Sequence, residues 1–368
     1  CLIWILRKIM KSLNSSYISR LDHIRFFAAS MVVFVHTYTT FGGKLSDNYI
    51  IRFLLSGDTG VSLFLVLSGF LFTVISNCGN KHIDYKTFIF NRIVRIFPLF
   101  VLVWITSMSL ARGTATFTDA LSILFFSNLQ TSPLLTYFGQ TWTIAVELQF
   151  YLIFPLLVLF LKKFGIRYIV LLSLFWVCWR FLIVSFFRDS LVSTGMMQTH
   201  YFYLTMLGRL DQFLIGILFG YFYCNYRSLF TSKWLLLISL FFVFLGQTYL
   251  HEIGMWYLAD PFTSTLSYVE AIIWGLFIIS YACCEIKIPK AIDFTLSRLG
   301  DLSFSTYILH SIILYSFHKN IGILNITNGQ NINAVCNFVI ILSLILIFSK
   351  FTFELIEKPF LSLRKRYV

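Results

Sequence analysis

The sequence predicts an all-α fold: a polytopic membrane helix bundle of about ten transmembrane helices with both termini in the cytoplasm. Composition is the first observation. Of the 368 residues, 58% are hydrophobic and only 12% are charged, with a mean hydropathy of +0.80, whereas a soluble domain has about 25% charged residues. The second observation is the repetition of apolar runs of membrane-spanning length. The third is the placement of lysine and arginine between those runs.

Apolar runs separated by polar breaks predict the ten helices. They cover residues 24–41, 60–76, 96–111, 143–161, 167–186, 208–224, 234–250, 267–283, 302–318 and 334–355. Residues 112–141 are the least regular part of the chain. There the run ALSILFFSNL (120–129) is interpreted as a segment that enters the membrane without crossing it.

Lysine and arginine are distributed unevenly between the segments that join these helices. With a cytoplasmic N-terminus, twenty of them fall in predicted cytoplasmic segments and five in outer loops. Because cations concentrate on the cytoplasmic side of membrane proteins, this placement predicts both termini inside. It also explains the net charge of +13. The predicted partner of the chain is a lipid bilayer, and no nucleic-acid partner is predicted. The predicted parts are a cytoplasmic segment (1–19), a membrane domain (20–360) and a basic cytoplasmic tail (361–368).

Motifs of soluble enzymes and of metal sites do not occur in the sequence. There is no Gly-rich phosphate loop after a strand, no GxSxG and no HExxH. The seven cysteines lack zinc-ligand spacing and mostly lie in or beside apolar runs, which predicts buried thiols and no metal. A soluble nucleotide-binding enzyme is therefore excluded.

The first predicted helix carries two ionisable side chains, Arg25 at its cytoplasmic end and His36 inside it. They are eleven residues apart, which is about three turns and roughly 16 Å of rise, so both lie on one face. An ionisable side chain in a membrane helix is costly and marks a candidate functional site. A histidine hydrogen-bonded inside the bundle is an equally good interpretation. Asp22 is placed to pair with Arg25 or to interact with the positive helix N-terminus.

Arg92 and Arg95 lie three residues apart, just before the helix predicted at 96–111. Two arginines on one helix face at the cytoplasmic boundary can bind phosphates. Spacing alone favours a simpler interpretation, in which both are positive-inside or lipid-headgroup anchors. Pro98 falls in the first turns of that predicted helix, where proline is tolerated.

Glu147 and Tyr151 are four residues apart and therefore share a face of the helix predicted at 143–161. The predicted topology puts Glu147 at the depth expected for His36. A buried carboxylate beside an imidazole can hold its tautomer and stabilise the imidazolium that forms when it takes a proton. A structural ion pair between the two helices explains the same residues equally well.

Small residues on two helices indicate close helix packing. Ser62, Ser68 and Gly69 permit close approach on one helix, and Gly216 and Gly220 form a small-xxx-small pair on another. Packing is the favoured interpretation of both.

Polar residues on three other helices are harder to interpret. Arg180 needs a partner or a water-filled cavity, and the sequence does not identify its partner. Arg209 and Asp211 lie near the outer end of the helix predicted at 208–224. A polar stripe on the helix predicted at 302–318 either lines a cavity or is satisfied within the core. It consists of Ser303, Tyr307 and His310.

Taken in order, these segments resemble the acyltransferase family 3 of integral membrane proteins, which O-acylate sugars and polysaccharides. The similarity extends from about Tyr17 to Phe360. It rests on LDHIRFFAASMVVFVH with its Arg-x10-His pair (Arg25, His36), GVSLFLVLSGFLFT, FIFNRIVRIFPLF with Arg92 and Arg95, TWTIAVELQFY with Trp142, Glu147 and Tyr151, LGDLSFSTYILH, and IEKPF. His23 stands where the family commonly has a glycine.

The resemblance implies an O-acyltransferase of the bacterial cytoplasmic (inner) membrane. It would move an acyl group, by resemblance acetyl, from cytoplasmic acyl-CoA (acetyl-CoA) to a hydroxyl of a cell-surface sugar or polysaccharide precursor. Arg25, Arg92 and Arg95 would bind the phosphates of coenzyme A. His36, oriented by Glu147, would act as a general base or carry the acyl group transiently. The substrate cavity would be lined by Tyr151, Trp142, Arg209, Ser303, Tyr307 and His310.

Two other functions are compatible with the sequence. One is an acyl-group carrier that feeds a separate extracytoplasmic transferase and consumes acyl-CoA only when that partner is present. The other is a proton-coupled secondary transporter with Arg180, Glu147 and the histidines as a proton relay. The sequence shows no obvious inverted repeat, which counts against the transporter. The oligomeric state is not predicted.

Overall fold

The computed structural model describes residues 17–45, 48–113, 116–119, 121, 127–128, 139–193, 203–255 and 260–368, and every regular element it contains in these ranges is helical. The helices are α1 (Ser19–Thr40), α2 (Tyr49–Leu55), α3 (Thr59–Ile75), α4 (Tyr85–Leu110), α5 (Thr141–Phe164), α6 (Ile166–Ser193), α7 (Met206–Asn225), α8 (Lys233–Glu252), α9 (Pro261–Cys283), α10 (Lys290–Asp301), α11 (Ser303–Asn320), α12 (Gln330–Thr352) and α13 (Lys358–Leu361). The predicted all-helical class is confirmed.

Each of the ten predicted membrane helices corresponds to an observed helix. Within the described ranges, seven helical stretches are long and apolar enough to cross a membrane: Tyr49–Ile75, Tyr85–Leu110, Thr141–Phe164, Ile166–Asp189, Lys233–Glu252, Pro261–Cys283 and Gln330–Leu361. A polytopic membrane bundle is thereby confirmed. Helices α1, α7 and α11 are not among these stretches. The count of ten spans and the cytoplasmic position of the termini stay predictions.

The prediction was wrong about the start of the third long helix. Helix α4 begins at Tyr85, eleven residues before the predicted start, with the Asp84 carboxylate accepting a hydrogen bond from the Thr87 N–H at 3.2 Å. Arg92 and Arg95 therefore lie within the helix rather than before it, and Pro98 lies in its interior. The sequence prediction followed the apolar run alone, whereas the amphipathic turns before that run are also helical.

Two predicted regions fall largely outside the described residues. These are the N-terminal segment 1–19, of which residues 17–19 are described, and the run at 120–129. By contrast, helix α10 was not predicted, because its apolar and polar residues alternate too closely to register as an apolar run.

The described helices form two compact units. The first comprises the described residues of 1–58, 84–145 and 291–367. In it, α1 packs against α11 and α12, and α4 packs against α11 and α13. Its apolar centre joins Val33 to Leu314, Ile341 and Ile345. A Cβ on Gly57 would lie 2.2 Å from the Met31 carbonyl oxygen, so only glycine permits this approach to α1.

The second unit comprises residues 59–83 and the described residues of 146–290. Its centre is the contact between α3 and α7, and α9 packs against α6, α7 and α8. A Cβ on Gly69 would lie 2.2 Å from the Phe213 carbonyl oxygen, and one on Gly216 would lie 2.2 Å from that of Val66. The predicted packing role of these small residues is confirmed.

Large apolar side chains cover the outward faces of several helices. On α6 and α8, Leu171, Phe186 and Phe241 are 66%, 79% and 60% exposed. Such surfaces are unfavourable in water but are suited to the hydrocarbon of a bilayer. The burial pattern of these helices therefore agrees with their membrane-spanning length.

Candidate active site

Two histidines from different helices of the first unit lie side by side. His36 on α1 and His310 on α11 stack with their ring centroids 5.2 Å apart and an interplanar angle of 26°. His310 is buried, whereas His36 is exposed in a helix whose preceding residues are mostly buried. His310 Nδ1 lies 2.6 Å from the Tyr307 carbonyl oxygen, which can only accept a hydrogen bond. Nδ1 therefore carries the proton, and Nε2 is left to accept from the Ser311 hydroxyl at 3.2 Å.

Arg25 is held at the other end of α1 by Asp22. Its Nη1 donates to Asp22 Oδ1 at 2.6 Å, an i, i+3 ion pair in which Asp22 is buried and Arg25 is half-buried. The predicted pairing is confirmed. Asp301, the last residue of α10, is half-buried near Asp22. Its partial burial and the Asp22 charge together raise the pKa of the Asp301 carboxyl to about 6.

His23 joins α1 to α10. Its Nε2 lies 3.2 Å from the Asp293 carbonyl oxygen, 3.4 Å from the Asp293 carboxylate and 3.3 Å from the Ser297 hydroxyl. A glycine, common at this position in the resembled family, has no side chain to make these contacts. The departure from the family pattern therefore has a structural consequence that the sequence did not show.

Arg92 and Arg95 lie on α4 in the first unit, at i, i+3 and both half-buried. The Arg92 guanidinium carbon lies 5.5 Å from the Phe88 ring centroid and 5.9 Å from that of Tyr367. Contacts of this kind contribute about 0.5–1 kcal/mol at exposed sites and more when desolvated. They restrict the direction of the Arg92 side chain, and its interpretation as a phosphate-binding residue or a headgroup anchor stays a prediction.

Glu147 belongs to the second unit and is held by two hydroxyl groups. The Tyr151 hydroxyl donates to Oε2 at 2.7 Å, and the Ser68 hydroxyl donates to Oε1 at 3.2 Å. The i, i+4 spacing predicted the first contact. The second was missed because Ser68 lies on α3, seventy-nine residues away, and its sequence context indicated only packing.

Arg209 lies in a buried polar cluster of the second unit. Its Nη1 donates to the Ser62 hydroxyl at 3.0 Å and to Gln212 Oε1 at 3.2 Å, and its guanidinium lies 4.1 Å from the Tyr203 ring centroid. Gln212 in turn donates to Glu270 at 3.0 Å. Arg209 has no exposed surface here. Its role in lining a substrate cavity stays a prediction.

The remaining predicted site residues are buried in the first unit. Trp142 lies in the first turn of α5, and Ser303 and Tyr307 lie in the first two turns of α11. Near them, the Ser305 hydroxyl donates to the buried Glu357 carboxylate. Among the described residues, no group of three or more histidine, cysteine or acidic side chains is arranged to hold a metal ion.

A family model described as an acyltransferase domain matches residues 18–352 of this chain. The chain belongs to acyltransferase family 3. The matched region contains every candidate residue discussed above. Five of the six motifs also lie within the matched region, whereas IEKPF, at 356–360, lies beyond it.

Several curated proteins are similar to parts of this family member. A Haemophilus influenzae protein, named only as uncharacterized, is 32% identical over 43% of this chain and 72% of its own length. Nodulation protein 10 of Rhizobium leguminosarum is 29% identical over 39% of this chain and 45% of its own. O-acetyltransferase OatA of Staphylococcus aureus is 27% identical over 53% of this chain and 32% of its own. The chain thus spans less than half of the last two relatives. No solved structure matches it.

The residues that carry the family resemblance are divided between the two units. His36, Arg25, Arg92 and Arg95 belong to the first unit, and Glu147 belongs to the second. The contacts within each unit are described above. The predicted pairing of Glu147 with His36 would join the two units, and it stays a prediction.

Proposed function

We propose that this acyltransferase 3 family member transfers an acyl group from acyl-CoA to a hydroxyl of a sugar or polysaccharide precursor. The proposed acyl group is acetyl, and the proposed location is the bacterial inner membrane. The proposal rests on the position of the His36 imidazole. It is exposed on a largely buried membrane helix and stacks on a second histidine whose tautomer is fixed. A reactive base needs access to substrate and a rigid support, and His36 has both.

In the proposed reaction His36 takes the proton from the acceptor hydroxyl. The hydroxyl oxygen attacks the thioester carbonyl carbon, and the bond from that carbon to sulfur then breaks. The leaving thiolate of coenzyme A takes the proton back from the imidazolium, so the protons and charges balance. In the competing version the His36 nitrogen attacks the thioester carbonyl carbon, the carbon–sulfur bond breaks and the thiolate of coenzyme A leaves. The acceptor hydroxyl oxygen then attacks the acyl carbon, the bond to the His36 nitrogen breaks, and the hydroxyl proton goes to the thiolate.

His310 acts in this proposal as a positioning residue. Its ring covers one face of the His36 ring, and its own rotation is limited by the hydrogen bond to the Tyr307 carbonyl oxygen. A fixed ring orientation lowers the cost of reaching the reactive geometry. The Glu147 carboxylate is proposed to stabilise the His36 imidazolium, and its orientation is set by Tyr151 and Ser68.

The donor is proposed to bind at the end of α1 that carries Arg25. Arg25 and His36 are separated by roughly 16 Å along the helix, so a ligand held by its phosphates at one end could present its thioester at the other. Arg92 and Arg95 supply further cations on α4, and guanidinium groups bind phosphates through paired, charge-assisted hydrogen bonds. The similarity to an O-acetyltransferase, OatA, supports acetyl as the transferred group.

The proposal is tested with the purified chain in vesicles, by following release of the coenzyme A thiol from acetyl-CoA with and without a crude cell-surface glycan fraction. His36→Gln removes the base while keeping a polar side chain, and should reduce glycan-stimulated release by about 100- to 10,000-fold. His82→Gln, at an exposed loop histidine, is the matched control and should retain activity. Near-normal release by His36→Gln would refute the proposed role. Release by the wild type only when a separate transferase is added would favour the carrier.

A further inference from the structure

The segment 362–367 is folded back against the first turns of α4. The Asn91 side-chain amide donates to the Lys365 carbonyl oxygen at 2.6 Å, and the Lys365 N–H donates to Asn91 Oδ1 at 3.0 Å. The Asp84 N–H donates to the Tyr367 carbonyl oxygen at 2.9 Å. Asn91 and Tyr367 are both buried. The sequence indicated a basic tail here, whereas this part of the chain is a docked element.

The docked segment also shapes the surroundings of Arg92. The rings of Tyr367 and Phe88 meet edge to face with their centroids 5.3 Å apart, and the Arg92 guanidinium lies within 6 Å of both. Two aromatic contacts restrict the rotamers of a long side chain. Arg92 is therefore positioned by a residue 275 places further along the sequence.

Arg364, on the same segment, adds another cation beside Arg92 and Arg95. It is half-buried, and its Nε donates to the Leu361 carbonyl oxygen at 3.0 Å. Burial, together with the charges of Arg95 and Arg92, lowers the pKa of Arg364 to about 10. The guanidinium remains protonated at neutral pH, so three like charges are held in one small region. Asp301 also lies near Arg364 and Arg95. Three guanidinium groups in one region can together bind a multiply charged anion through charge-assisted hydrogen bonds.

We propose that Arg364 is a third phosphate-binding residue of the donor site, held beside Arg92 and Arg95 by the docked segment. This inference rests on the proposed function. The chemistry it recognises is a phosphate group, and that group can come from two sources: the 3′-phosphate or pyrophosphate of coenzyme A, or the headgroup of an anionic lipid. We assign it to coenzyme A because the three cations lie on the unit that also carries Arg25 and His36.

The test measures the Kd of coenzyme A and of dephospho-coenzyme A for the full chain in nanodiscs of phosphatidylcholine alone. Arg364→Gln should raise the Kd of coenzyme A about ten- to a hundredfold, as expected for loss of a charge-assisted contact. Arg366→Gln, at an exposed arginine on the same segment, is the matched control and should leave it unchanged. Asn91→Ala should reproduce part of the Arg364→Gln loss, because it releases the segment. Unchanged melting temperature and elution volume exclude misfolding of Arg364→Gln.

A loss restricted to coenzyme A assigns Arg364 to the 3′-phosphate, and an equal loss for both ligands assigns it to the pyrophosphate. Equal Kd values for Arg364→Gln and Arg366→Gln would overturn the inference. So would an effect of Arg364→Gln that appears only when phosphatidylglycerol is added, because the partner would then be a lipid headgroup. Failure of the wild type to bind coenzyme A would instead refute the proposed function. Weakened binding by Arg92→Gln with normal binding by Arg364→Gln would refute this inference alone.

Discussion

The ion pair between Arg180 and Asp211 should dominate the stability of the second unit. Neither side chain is exposed, and Nη2 of Arg180 lies 2.7 Å from Asp211 Oδ2. The guanidinium also donates to the Gly208 carbonyl oxygen, and the carboxylate also accepts from Ser267. Removing one partner of a buried pair leaves an uncompensated charge and costs about 3–5 kcal/mol, whereas replacing both with apolar residues is close to neutral. Arg180→Leu should therefore lose about 3–5 kcal/mol, and adding Asp211→Leu should restore most of it.

The assay is equilibrium unfolding of the purified chain in mixed micelles, carried out on the wild type, both single variants and the double variant. Arg188→Leu is the control, because it removes an exposed arginine from the same helix and should change stability by less than about 0.5 kcal/mol. We expect a coupling energy of several kcal/mol between positions 180 and 211. Additive single effects would refute it, and so would an Arg180→Leu loss no larger than that of Arg188→Leu.

Two further predictions concern packing and pH. Gly69→Ala should markedly lower the melting temperature and the yield of folded protein, because the new Cβ would lie 2.2 Å from the Phe213 backbone and force α3 from α7. Gly246→Ala, whose Cβ would meet only the end of the Ile273 side chain at 2.7 Å, should be milder, and equal losses would contradict this account. Asp301 has a pKa of about 6, raised from 3.8, so between these values the folded state binds more protons than the unfolded state. Its contribution to stability should fall as pH rises from about 4 to about 6, and a melting-temperature profile unaltered by Asp301→Asn would count against it.

The sequence predicted the helices well, because a long apolar run directly indicates a membrane helix. It failed where a helix begins or lies outside such a run. Helix α4 starts at a capping Asp84 in a polar stretch, and α10 is a short amphipathic helix. Hydropathy indicates which segments are apolar enough to lie in lipid. It does not detect the residue that caps a helix or a short amphipathic helix.

Local contacts of the candidate site were also predictable. The Arg25–Asp22 and Tyr151–Glu147 contacts follow from i, i+3 and i, i+4 spacing. The stacking of His36 on His310 could not be predicted, although both histidines were candidate site residues, because it depends on how α1 and α11 pack.

Contacts between residues far apart in the sequence could not be predicted either, because they also depend on how the helices pack. Arg180 required a partner, and only the packing of α6 against α7 shows that the partner is Asp211. The docking of Tyr367 beside Arg92 likewise gave no sequence signal beyond a run of basic residues.

The division of the first unit into separate stretches of chain has a consequence for biosynthesis. The hydrogen bonds between Asn91 and Lys365 join residues 274 positions apart, and nearly the whole second unit is encoded between them. The helices of the second unit can leave the ribosome and pack on one another while α1 and α4 still lack α11, α12 and the docked segment. Translation must therefore pass residue 367 before Arg92 gains its contact with the Tyr367 ring. A nascent chain arrested before that point would already be inserted in the bilayer, yet it would be unable to assemble the proposed donor site.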